Sequence, residues 1–79
     1  MRIVREFKKG DTRISIFSWN NKYLLKFEQG FVEQTFKVDE SAIFEEADLE
    51  KFLSGVFLME VEKRFEEMHK SLRNQIENI

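Results

Sequence analysis

The only histidine of the chain, His69, stands three residues after Glu66, and this Glu-x-x-His spacing puts a carboxylate and an imidazole on one helix face. A di-iron carboxylate bundle uses such a motif from each of two helices, plus a glutamate from each of two others. One chain supplies half of that set, so the same residues read more simply as part of a solvated stripe, "EKRFEEMHK". The other groups that do chemistry are equally scattered. There is no cysteine, which excludes thiolate nucleophiles, thiolate zinc sites and disulfides. Ser15, Ser18, Ser41, Ser54 and Ser71 have no base near them in sequence. Gly10, Gly30 and Gly55 lie too far apart to build a phosphate-cradling loop. Adjacent carboxylates such as Glu45/Glu46 and Glu66/Glu67 point in different directions. The expectation is a protein that is not an enzyme and has no catalytic residues, no metal and no cofactor.

What remains is surface. Up to Val38 the apolar residues alternate, β-branched and aromatic types dominate, and breaks fall at "KKGD", "NN" and "QG". The pattern predicts four antiparallel strands, about Arg2–Lys8, Thr12–Trp19, Lys22–Gln29 and Phe31–Val38. Two-residue loops at Asn20-Asn21 and Gln29-Gly30 would set Ile14 against Phe27, Ile16 against Leu25, Phe27 against Val32, Leu25 against Gln34 and Tyr23 against Phe36. A Lys9-Gly10 loop would set Phe7 beside Thr12 and Ile3 beside Ile16. These choices share one core face: Ile3, Phe7, Ile14, Ile16, Tyr23, Leu25, Phe27, Val32, Phe36 and Val38. The opposite face then carries charges of alternating sign, with Arg13 beside Glu28 and Glu6, and Lys26 beside Glu33. Phe17, Trp19, Leu24 and Phe31 fall on that same outer face and are more apolar surface than a solvated face needs.

After Val38 the period changes. Residues 39–47 read as a connection, with Ser41 or Asp48 as an N-cap. Leu49, Phe52, Leu53 and Val56 then recur at helical spacing, and Gly55 interrupts them. Either a short helix (Asp48–Ser54) precedes a long one (Val56–Asn74), or one long helix is distorted near Gly55. Leu58, Val61, Phe65, Met68 and Leu72 follow a 3-4 alternation, the spacing of a coiled-coil seam, and mark a helix face on which two copies can pair. The expected architecture is α+β: one domain over residues 1–79, with a four-stranded antiparallel meander (1–38), a connection (39–47) and a helical part (48–79) packed on one sheet face.

Size and charge frame the functional classes. Seventy-nine residues bury only about 60% of their unfolded surface on folding, so a dense core or a partner is needed. Nine Phe, one Trp and one Tyr supply density. The net charge of −2 hides eight Lys/Arg against four acids in residues 1–38, and five against eleven in residues 39–79. Either the halves attract each other or the basic half meets an anionic partner. Phe17, Trp19 and Phe31 can stack on bases while Arg13, Lys22, Lys26 and Lys37, with Arg2, follow phosphates; Glu6, Glu28 and Glu33 on the same face oppose a polyanion. Cover by the helix, by a partner subunit or by "SAIFEEA" (Ser41–Ala47) accounts for the same aromatics without any ligand. Apolar runs are too short for a signal peptide or a membrane span, which predicts a soluble, cytoplasmic protein.

The stretch "ISIFSWNNKYLLKFEQGF" (Ile14–Phe31), a strand ending in Ser18-Trp19, a short polar turn and then Lys22-Tyr23-Leu24-Leu25, resembles the positive-cofactor-four-like transcriptional coactivators, as does the order of strands first and one helix last. That resemblance, over about Thr12–Leu53, implies a twisted four-stranded sheet before a helix, a dimer, and binding of single-stranded DNA. This chain lacks the family's Lys/Gly-rich stretch before the last strand, and its helix is longer and acidic. The whole chain is also similar to small uncharacterised bacterial domains of this length, a resemblance that implies no known activity. The reading at this level is a non-enzymatic interaction domain that forms a homodimer, with weak single-stranded nucleic-acid binding through the outer sheet face as the alternative.

Overall fold

The computed structural model describes all residues, Met1–Ile79. Four strands of eight residues, β1 (Arg2–Lys9), β2 (Thr12–Trp19), β3 (Lys22–Gln29) and β4 (Val32–Asp39), form an antiparallel meander in the order β1-β2-β3-β4. Two short 3₁₀ segments, Glu40–Ala42 and Glu46–Phe52, lead to one helix, α1 (Gly55–Glu77), which packs across the sheet.

Each turn is made by residues that accept positive φ. Asn20 and Asn21 take φ of 54° and 63° and set Ile14 against Phe27 and Ile16 against Leu25, as expected from the sequence. The other two turns differ from expectation by one position each. They are Gly10-Asp11 and Gly30-Phe31, with glycine first (φ of 61° and 58°), the position a type II′ turn reserves for it. Each expected pairing therefore slides by two residues: Phe7 faces Ile14 and not Thr12, Phe27 faces Gln34 and not Val32, and Leu25 faces Phe36 and not Gln34. A slip of two keeps every side chain on its face, so the core pattern survives. Ile3 is the exception. A β-bulge between Ile3 and Arg5 reverses the alternation, so Val4 packs against the core while Ile3 faces Phe17 on the outer side and is 59% exposed.

The core lies between the sheet and the helical part. Ile14, Ile16, Tyr23, Leu25 and Phe27 meet Leu49 from the second 3₁₀ segment, Leu53 at its C-cap, and Leu58, Val61 and Phe65 from α1. Glu45 caps that segment through a reciprocal capping box with Asp48, so neither Ser41 nor Asp48 is the cap itself. Two basic residues of β1 also hold the segment: Arg2 bonds Glu46 at 2.7 Å and Arg5 pairs with Glu50. The hydrogen bond to Glu46, then its charge, raises the pKa of the Arg2 guanidinium further.

Of the two helical arrangements open to the sequence, the chain adopts the broken one. Gly55, the first residue of α1, sits at φ +64°, a left-handed conformation that separates the helix from the 3₁₀ segment before it. There is open space around it, so Gly55→Ala should cost about 1–2 kcal/mol from backbone strain alone. Urea unfolding checks this, and an unchanged midpoint would mean the break does not depend on that conformation.

Candidate functional site

A 23-residue helix is about 34 Å long, while an eight-residue strand spans about 26 Å. The helix therefore outruns the sheet it packs on, and every residue from Lys70 to Ile79 is exposed. Leu72, Ile76 and Ile79 lie on this overhang. Phe31, in the β3–β4 turn at the same end, is 94% exposed. Phe31, His69, Leu72, Arg73, Ile76 and Glu77 enclose an open groove of about 440 Å³.

A chain of directed hydrogen bonds builds the base of this groove. Gln29 spends its amide donors on Thr12 Oγ1 (3.0 Å) and Glu62 (3.4 Å), and Thr12 Oγ1 donates to Glu62 Oε1 (3.2 Å). Only the Gln29 carbonyl is left for His69, so His69 Nε2 donates to it, at 2.9 Å. These bonds tie the turn that presents Phe31 to the helix turn that presents Leu72. His69 is thus a structural donor at the edge of the groove. No three His, Cys, Asp or Glu side chains come together in a way that could hold a metal ion. One buried acceptor lacks a partner: Gln34 donates to the Val61 carbonyl at 2.9 Å, and its own Oε1 bonds to nothing.

The residues proposed from sequence as a dimer seam divide. Leu58, Val61 and Phe65 are 6%, 0% and 0% exposed, in this chain's own core, because the sheet and not a second helix covers that face. Met68 is half-buried against the core, and Leu72 alone of the five is exposed. The accessible apolar stripe is rotated onto His69, Leu72, Ile76 and Ile79. Ile76 and Ile79 extend the exposed part of the helix face beyond the seam expected from the sequence, where the sheet's cover has ended.

The residues proposed as an outer binding face divide as well. Phe17 and Trp19 do lie there, with Phe17 between Ile3 and Leu24 in one row across the sheet and Trp19 beside Lys22 in the next. Trp19 is 53% exposed. Phe31 is not on that face, because the Gly30-Phe31 turn removes it from the strand and leaves it at the helix overhang. Arg2 points to the other side, toward Glu46. Arg13 bonds Glu6 at 2.8 Å, and Lys26 sits between Glu28 and Glu33 at 3.9 and 3.5 Å. Lys22 and Lys37 engage no carboxylate, although Asp39 faces Lys22 in register. Phe31 and Arg2 therefore leave the surface expected from the sequence, while Phe17, Trp19, Arg13, Lys22, Lys26 and Lys37 share the outer face, with Arg13 and Lys26 beside carboxylates. No helix is long and apolar enough to cross a membrane. Compared with family models, curated proteins and solved structures, the chain matches none of them.

Proposed function

We propose that this domain is a non-enzymatic self-association module in which two copies pair through the groove at the helix overhang. The observation that carries the reading is the overhang itself: Phe31, Leu72, Ile76 and Ile79 expose large apolar side chains together, at a place the chain's own sheet cannot reach. Exposed apolar residues scattered singly need no explanation, whereas a cluster bordered by charge is the usual mark of an interface. The border is self-complementary. Running antiparallel, two tails that set Leu72 opposite Ile76 bring Arg73 of each copy within a turn of Glu77 of the other. A two-fold interface requires that kind of self-match.

Leu72→Glu is the test, because Leu72 is exposed in the monomer and its replacement leaves the core intact. Sedimentation should show the mass of the wild type halved in the variant, and at a dilution where the wild type is itself dissociated the two unfolding midpoints should agree to within about 0.5 kcal/mol equivalent. An unchanged mass, or a wild type that is monomeric at every concentration, would overturn the reading. Phe65→Glu cannot serve here, since a buried charge at that position would unfold the chain.

A further inference from the structure

The opposite end of the molecule holds two features that no part of the same chain covers. The first is Phe44, 99% exposed in the connection between the 3₁₀ segments, with Glu40, Glu45 and Glu46 within four residues of it. The second is the apolar half of the outer sheet face, Ile3, Phe17, Leu24 and Trp19, beside the two unengaged cations Lys22 and Lys37. Both lie at one end. The Glu40 amide donates to the Asn21 carbonyl at 3.0 Å, which tethers the connection to the β2–β3 turn that Trp19 and Lys22 flank. They cannot meet within one chain, because the connection runs on to the core side of the sheet, where Glu46 is held by Arg2.

We infer that a second copy of this chain supplies the match: Phe44 of one copy seats on the patch formed by Ile3, Phe17, Leu24 and Trp19 of the other. Charge selects this occupant. An aromatic knob bordered by Glu40 and Glu45 suits an apolar patch bordered by Lys22 and Lys37. At this end a polyanion would find only those two free cations, with Asp39 alongside them; the next free cation of the face, Lys8, lies at the far end, beyond the carboxylates Glu6, Glu28 and Glu33. Because knob and patch share one end of the molecule, a two-fold arrangement lets both insert at once, so this contact taken alone closes at two copies, and only together with the groove contact at the other end does it extend the assembly. The groove described above is at the other end, by the Gly10-Asp11 and Gly30-Phe31 turns, and is a separate contact.

The test uses the full-length chain carrying Leu72→Glu, which removes the groove contact, and reads the emission of Trp19, the only tryptophan. Raising the protein from low micromolar to millimolar should shift the emission to shorter wavelength, saturably, as the sedimenting mass doubles. Phe44→Ser, at an exposed position, should abolish both changes. Lys37→Glu should weaken the association by about threefold or more, and Glu40→Lys added to it should restore the affinity. An emission that does not respond to concentration, a response that survives Phe44→Ser, or a charge swap that fails to restore binding would each overturn the inference. So would saturable quenching by oligothymidylate at low salt that is lost steeply as salt rises, since that would give the patch to nucleic acid. Because Trp19 is remote from Leu72, this readout stands whether or not the groove reading holds.

Discussion

Replacing Phe65 with alanine should destabilise the fold by about 3–5 kcal/mol. Phe65 is fully buried and is the last α1 residue over the sheet whose side chain water does not touch. The alanine variant loses the transfer free energy of the ring and leaves a hollow between Val61, the β-strands and Met68. Domains of this kind hold roughly 0.05–0.15 kcal/mol per residue, so about 4–12 kcal/mol for 79 residues, and the substitution removes about a quarter or more of it. Urea unfolding followed by far-ultraviolet circular dichroism, at one fixed protein concentration, measures the loss. A cost below about 1.5 kcal/mol, the range of a conservative core swap, would mean that the helix is not seated on the sheet through this ring.

The second large effect is expected at Phe57. Its ring lies 5.2 Å from those of Phe36 and Phe52 and 6.1 Å from Phe27, with the first two edge-on. It joins three layers: the sheet, the 3₁₀ segment and the helix that follows Gly55. Phe57→Ala should therefore cost about 2–4 kcal/mol, somewhat less than Phe65→Ala because Phe57 is only partly buried. The informative measurement is a double-mutant cycle with Phe52→Ala, in which the two rings should couple by about 0.5–1.5 kcal/mol. Strict additivity would mean that the segment Glu46–Phe52 is held by Leu49, Leu53 and its ion pairs alone. Gln34 makes an instructive contrast. It is buried with one acceptor unbonded, so its removal forfeits fewer favourable contacts than its position in the core suggests.

The sequence by itself determined the order of the strands, their antiparallel pairing, the face of nearly every strand residue, and the change from sheet to helix after Val38. These follow from alternation and composition, which depend only on neighbours along the chain. The turn chemistry was nearly sufficient too, but Gly10 and Gly30 each accept positive φ at either position of a two-residue loop. The choice of the first position moved two registers by two residues and took Phe31 out of β4. Only the tertiary structure decided the rest. The bulge at Val4 exposed Ile3, on the same strand whose Arg2 and Arg5 grip the 3₁₀ segment from the far end of the sequence. The apolar stripe of α1 has one spacing from Leu58 to Leu72, because periodicity records which residues share a helix face and not what lies opposite them. The sheet covers that stripe as far as Phe65 and then ends, so one pattern became core at one end and open groove at the other.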